Sequence, residues 1–252
     1  MKKKFTKKEL ERYSRQIILK DVSFNGQKLI SDSKVLIVGM GGLGCPIVDY
    51  LARAGIRKIG IVDHDKINTS NLHRQSMYYS NEIGKYKVDV IKKKIFKIDS
   101  KIKIFKFKEK IQKHNIDKII RNFDIIVDGS DNFKTKFLLN KYSLKFKKIL
   151  IVGAISKMDG HIFTFNFKNK NEPCLKCFYQ SEPSDEILNC EFEGILGPVA
   201  GIVGSIQAIE ILKKILNLSK KSNKKIFILD LNNFNFRKVE FKKKNGCLCK
   251  KY

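Results

Sequence analysis

The sequence predicts an α/β fold with a doubly wound, mostly parallel sheet and antiparallel strands in the C-terminal half. Three observations carry this prediction. Short apolar runs rich in β-branched residues alternate with helical periodicity from residue 35 to residue 154. The first run, Val35-Leu36-Ile37-Val38, stops at a turn with the spacing G-x-G-x-x-G, made by Gly39, Gly41 and Gly44. From Asp159 onward the pattern changes to period-two alternation, the mark of half-buried strands.

Each element follows from its local pattern. Residues 8–18 read as a helix that carries Arg12 and Arg15, and residues 24–31 as a second, short helix. After the first strand, Pro46 fits only the first turn of a helix, which then runs through residues 47–54. A second strand, 58–62, ends on Asp63, an acid about 20 residues beyond the glycines, as a Rossmann-like nucleotide fingerprint requires. A polar loop follows, and residues 83–98 are expected to be helical, with Val88, Ile91, Ile95 and Ile98 on one face. Residues 101–108 alternate as a strand and 115–121 form a short helix. A buried strand, 124–128, runs into a tight turn, then come a helix at 133–146 and a strand at 149–154. Residues 161–167, 225–231 and 237–241 read as antiparallel strands. Residues 174–197 read as irregular, and 198–216 as a long helix whose Ala200, Gly204 and Ala208 give one flat face for close packing.

Composition narrows the functional classes. The 252 residues are 42% hydrophobic and 31% charged, and they suffice for one full core. A single domain is expected: an N-terminal helical arm over 1–32, a nucleotide-binding half over 33–157 and a second half over 158–252. The basic N-terminus lacks the apolar segment of a secretory signal, and no stretch is long and unbroken enough to span a bilayer, so a cytoplasmic setting is expected. The net charge of +27 raises nucleic-acid binding. However, the charge is nearly all lysine, scattered over every segment beside abundant Ile, Asn and Phe. This is the drift of an AT-rich genome rather than a localised basic patch, and nucleic acid is not the expected partner.

The chemistry-bearing residues gather behind strand ends, where ligands bind in open α/β sheets. They are the glycine turn, Asp63, Asp65, the loop with Ser70, Asn71, Arg74 and Gln75, then Lys87, and the pair Asp131/Asn132. Hydride transfer needs the glycine turn and the ribose acid but has little use for two cations and a second acid. A triphosphate site uses all of them.

The motifs R-Y-S-R-Q (12–16), G-M-G-G-L-G (39–44), D-x-D (63–65), S-N-L-H-R-Q (70–75), I-G-K-Y-K (83–87) and D-G-S-D-N (128–132) stand in the order of the ThiF/MoeB/HesA family. The chain resembles that family, bacterial relatives of the ubiquitin-activating enzymes. P-C-L-K-C (173–177), N-C-E-F-E-G-I-L-G-P (189–198) and S-I-Q-A-I-E (205–210) extend the resemblance over nearly the whole chain.

The resemblance implies ATP- and Mg²⁺-dependent adenylation of the C-terminal Gly-Gly carboxylate of a ubiquitin-like sulfur-carrier protein, for thiamine or molybdenum cofactor synthesis. It implies ATP on Gly39, Gly41, Gly42 and Gly44 with its ribose on Asp63. Arg74 and Lys87 would hold phosphates, Asn71 would orient the triphosphate, and Asn132 would stand beside the nucleotide. Asp131 would hold Mg²⁺ and act in catalysis, and Arg15 would reach in from the partner of a homodimer. It also marks Cys190 as a residue that some members link covalently to the carrier. Length, and the stretch 183–190, lean towards the thiamine side, and no sulfurtransferase extension is expected. The rival readings are an NAD-dependent oxidoreductase and a catalytically inactive carrier-binding protein.

Cys174-x-x-Cys177 has the spacing of one arm of a tetrahedral zinc site. Similar proteins supply a second C-x-x-C near the C-terminus; here it is Cys247-x-Cys249, one residue short. Structural Zn²⁺ on all four is the expectation, with a three-ligand site or loss of the metal as alternatives. Cys45 reads as a small packing residue, and the four histidines form no metal pair or triad by spacing.

Overall fold

The computed structural model describes residues 5–179, 183, 194–218, 225–247 and 249. Two helices, α1 (Lys7–Ile17) and α2 (Ser23–Asp32), precede the alternating region. That region runs β1 (Lys34–Val38), α3 (Gly44–Ala54), β2 (Lys58–Val62), α4 (Lys87–Ile98), β3 (Lys103–Phe107), α5 (Ile116–Ile120), β4 (Ile125–Asp128), α6 (Phe133–Lys145) and β5 (Ile149–Ser156). Then follow β6 (Asp159–Asn166), α7 (Leu175–Phe178), α8 (Gly197–Ile215), β7 (Lys225–Asp230) and β8 (Asn235–Glu240).

These strands form one sheet in the order β3-β2-β1-β4-β5-β6-β7-β8. β1 to β5 pair in parallel, and β6 to β8 add antiparallel. The expected doubly wound sheet with an antiparallel C-terminal half is therefore present. The order reverses at β1, which lies between β2 and β4, and such a switch point opens a crevice at the carboxyl ends of the strands.

Both faces of β1, β2, β4 and β5 are covered, which explains why these strands are almost wholly apolar, whereas the edge strand β3 alternates with exposed lysines. Val35 and Ile37 of β1 belong to one core with α3, α4 and α8, while Leu36 and Val38 belong to the other with α5, α6 and the phenylalanines of β6. The flat face of α8 is used as its spacing suggests: Ala200 and Ala208 are buried, and Gly204 lies against Pro46 and the Leu43 carbonyl. A β-carbon at Gly204 would come 2.5 Å from Pro46 Cγ, so the small residue sets how closely α8 approaches α3.

The expected helix over 83–98 begins only at Lys87. Gly84 has φ +83°, and Tyr86 forms an isolated bridge with Lys66, so the segment before Lys87 returns to the loop after β2 instead of starting a helix. Within 174–197, expected to be irregular, Leu175–Phe178 forms one helical turn. Among the described residues no helix is long and apolar enough to cross a membrane.

Glu9 helps to fasten the N-terminal arm, beside the pair of Arg12 with Asp99 at 3.0 Å. Thr6 and Glu9 form a capping box at the start of α1, and Glu9 also pairs with Lys101 at 2.9 Å and with Arg57. Burial pushes the Glu9 carboxyl up, but the bonds from Thr6, Lys101 and Arg57 outweigh it and hold the group down to about 2. A folded-state value below the ordinary 4.5 stabilises the fold above that pH, and the contribution is lost as pH falls from about 4.5 to about 2. Glu9→Gln is expected to lower stability by about 1–3 kcal/mol at neutral pH. Urea midpoints should show this difference at pH 7 and a smaller one at pH 3.

Candidate functional site

The loops after β1, β2 and β4 enclose a cleft of about 360 Å³, within the size range of small-molecule sites. Gly39, Gly41, Gly42, Asp63, Asp65, Ser70, Asn71, Arg74, Gln75, Lys87, Asp131 and Asn132 line it together. The constellation expected at one sheet edge is thus assembled in one place.

The glycine turn is shaped by close backbone contact. Gly39 has φ +91°, and a β-carbon there would stand 2.7 Å from the Gly129 carbonyl oxygen. Gly44 starts α3, and a β-carbon on it would stand 2.0 Å from the Gly39 carbonyl oxygen. Gly44 is not in the cleft lining. Its part is to let the turn close, which aims the N-terminus of α3 and its partial positive charge at the cleft.

Asp63 is buried at the end of β2, and both its oxygens accept backbone N–H groups, Oδ2 from Met40 at 2.7 Å and Oδ1 from Asp65 at 2.8 Å. Burial pushes its carboxyl up, opposed by the nearby Lys87 ammonium and by those two N–H groups. Lys87, itself buried, donates to Asp65 Oδ2 at 2.9 Å, and this pair ties the start of α4 to the loop after β2.

In the 70–75 loop, Asn71 Oδ1 accepts from the Asn68 N–H at 3.1 Å. Arg74 Nη1 donates to the Ser70 carbonyl at 2.8 Å and stands 2.8 Å from His73 Nε2. Gln75 is 3% exposed, and its Oε1 has no hydrogen-bond partner. An orphaned buried acceptor on the wall of a cleft is the kind of group a ligand donor satisfies.

After β4, Asp128 turns inward and Asp131 outward. Asp128 Oδ1 accepts from the Ser130 N–H at 2.9 Å and hydroxyl at 2.6 Å, which tightens the turn. Asp131 is exposed in the cleft and accepts from Asn132 Nδ2 at 3.2 Å. The Asn132 Oδ1 caps α6 by accepting from the Thr135 N–H at 2.8 Å.

The four cysteines lie apart from this cleft. Cys174 and Cys177 stand 4.0 Å apart, Cys174 and Cys247 3.6 Å, and Cys177 and Cys249 3.5 Å. All four sulfurs lie within 4.8 Å of one another. Four thiolates at 2.3 Å from a tetrahedral ion stand about 3.8 Å apart, so the spacing of the four sulfurs, the shortened C-x-C arm included, could hold such an ion. Thiols so close share protons: the hydrogen bond between them pulls Cys177 down and pushes Cys174 up, while burial chiefly pushes Cys249 up to about 12. Cys45 is fully buried and pushed up to about 12 by burial, which suits its expected packing role.

Besides Gly44, one expected residue among those described does not line this cleft, and another cannot be placed. Arg15 is exposed on α1 and is absent from the lining, and Cys190 lies outside the described residues. Sequence reasoning missed Asn68, Ser130, Glu109, Ile111 and Ala154 as lining residues. Asn68 and Ser130 sat beside motif residues and were legible as turn formers. Ile111 belongs to the segment after β3, and nothing in its pattern pointed to the cleft.

Fold and site together define a doubly wound α/β protein with a glycine-turn cleft at the sheet's carboxyl edge and a separate four-cysteine cluster. The chain belongs to the ThiF family, whose family model matches residues 13–250. It is 37% identical over 243 residues to the adenylyltransferase and sulfurtransferase MOCS3 of Drosophila willistoni, covering 96% of this chain and 53% of that protein. With the Dictyostelium discoideum protein of the same name it is 38% identical over 243 residues, covering 95% and 56%. The chain therefore spans about half the length of the curated relatives it matches. A crystal structure of E. coli MccB with ATP shares the fold, with a TM-score of 0.82 at 24% identity over 94% of this chain and 74% of that one.

Because the Gly44–Gly39 contact is backbone on backbone, a methyl group at Gly44 forces the turn open. Gly44→Ala is expected to cost about 1–3 kcal/mol. Chemical denaturation checks the stability, and nucleotide titration should show weakened binding in the same variant.

Proposed function

We propose that this chain is an ATP-dependent adenylyltransferase that joins AMP to the C-terminal glycine carboxylate of a ubiquitin-like sulfur-carrier protein. The observation that carries this reading is the meeting of the glycine turn, Asp63, Arg74, Lys87 and Asp131 in one cleft. The family membership and the adenylyltransferase activity of the relatives support it. An NAD-dependent oxidoreductase is less well supported, because hydride transfer gives two cations and a second acid nothing to do.

The carrier carboxylate attacks the α-phosphorus, the bond to the pyrophosphate oxygen breaks, and pyrophosphate leaves with that electron pair. An acyl-adenylate remains. A carboxylate is a weak nucleophile approaching a polyanion, so catalysis here is positioning and charge neutralisation. The Gly39 N–H is held by the Val62 carbonyl at 2.9 Å, so the turn would offer the N–H groups of Gly41 and Gly42 to the phosphates, and Asp63 would accept from the ribose. Arg74 and Lys87 offset the triphosphate charge, Ser70, Asn71 and Gln75 orient it, and Asn132 closes the cleft beside Asp131. Asp131, an exposed hard oxygen donor in the cleft, fits Mg²⁺ and would hold it against the phosphates, where the ion screens their charge. Arg15 would complete the site from the second subunit of a homodimer, and Cys190 would supply a covalent link to the carrier.

The four sulfurs fit a structural Zn²⁺ that holds the C-terminal segment to the body of the protein. A reduced cysteine set suits the cytoplasm. In this reading residues 158–252 receive the carrier, which is a ThiS-like or MoaD-like protein of thiamine or molybdenum cofactor synthesis.

Purified protein should catalyse ATP–pyrophosphate exchange that depends on one of these carriers and on Mg²⁺. Exchange with neither carrier would sink the reading. Asp131→Ala should lower the exchange rate by about 10²–10³-fold without unfolding the chain. Elemental analysis should find about one zinc per chain in the wild type and little in Cys249→Ala, as four-ligand binding demands.

A further inference from the structure

We propose that Lys136 is a positioning residue for Asp131, acting through a buried ion pair with Asp128. Lys136 lies one turn into α6 and is only 1% exposed. Its ammonium donates to Asp128 Oδ2 at 3.1 Å, to the Ser130 carbonyl at 2.6 Å and to the Gly153 carbonyl at 2.7 Å. An ammonium has three protons, and each has an acceptor here.

The arrangement clamps the turn from both sides. The amide and hydroxyl of Ser130 are held by Asp128 Oδ1, and its carbonyl is held by Lys136. Gly153, on the neighbouring strand β5, supplies the fixed outer point, and Gln207 Nε2 of α8 holds the Asp128 carbonyl at 3.0 Å. Asp131 follows directly. Its side chain is exposed and, among the described residues, accepts only from the Asn132 amide, so its place in the cleft follows the peptide at Ser130.

A buried pair is a weak device for holding a core, since well-packed apolar residues do as well. It is a strong device for fixing a turn whose carbonyl and amide must both be bound. Asn132, Lys136 and Asn140 also recur every four residues on one face of α6, where Asn140 Oδ1 accepts from the Leu175 N–H beside Cys174 at 3.0 Å. The face that orients the acidic turn is thus rooted in a second fixed point.

The inference rests on the adenylation reading only for its activity readout. Lys136→Met alone would leave Asp128 buried and unpaired, so the informative variant is Lys136→Met with Asp128→Asn, which removes both charges and keeps an acceptor for Ser130. Backbone hydrogen exchange is measured in it without any carrier. The expected result is at least tenfold faster exchange at residues 129–132, with β1 and the last two turns of α6 unchanged. In carrier-dependent ATP–pyrophosphate exchange, kcat should fall about 100-fold at unchanged KM for the carrier, the cost of misplacing a reacting group by about 1 Å. Lys136→Arg, which retains a charged donor, should recover a large part of that loss. Wild-type protection at 129–132 together with wild-type kcat would overturn the proposal. So would loss of protection spread evenly over β4 and α6, which would show a pair that holds the fold rather than the turn. If no carrier supports exchange in the wild type, the adenylation reading fails, and the local protection result still decides the role of Lys136.

Discussion

Two buried carboxylates at the ends of the two strands that flank β1 set the shape of the sheet's carboxyl edge. Asp63 directly follows β2 and Asp128 ends β4, on either side of the glycine turn that follows β1. A parallel sheet leaves backbone N–H groups without ladder partners where its strands stop, and a buried unpaired N–H is costly. Asp63 takes the N–H of Met40 and of Asp65, and Asp128 takes that of Ser130. Each therefore bends the chain just beyond its own strand, and Asp63 also fixes the start of the glycine turn. The cleft lies between these bends.

The layer behind the turn is built from small residues. Gly42 meets Ala200 and Gly204 meets Leu43, so α8 lies close beneath the loop that must face a ligand. Close backbone contact of this kind resists deformation, because interiors are packed as densely as crystals. The cleft presents charged side chains on loops tied down by side-chain bonds over a densely packed floor, and that combination suits chemistry that works by placement.

Much of this was legible in the sequence because the relevant signals are short-range. The β-branched run, the G-x-G-x-x-G spacing and the terminal acid each describe one turn of chain, and together they located β1, α3 and β2. The four-residue spacing of Ala200, Gly204 and Ala208 announced close packing. The start of α4 was misplaced because apolar periodicity continues through Ile83, whereas the left-handed Gly84 and the bridge from Tyr86 to Lys66 are decided by tertiary contacts. The roles of Asp128, Lys136 and Gln207 were invisible for a like reason. A lysine in a lysine-rich helix gives no sign that it is the buried one.

The cysteine cluster joins positions 73 and 72 residues apart along the chain. An ion bridging them would close a loop that contains α8, β7 and β8, and closing so long a loop is entropically expensive until those elements are already in place. Were an ion to load, its binding would be coupled to the docking of the segment after β8, which carries Cys247 and Cys249, while β7 stays held by its ladder to β6.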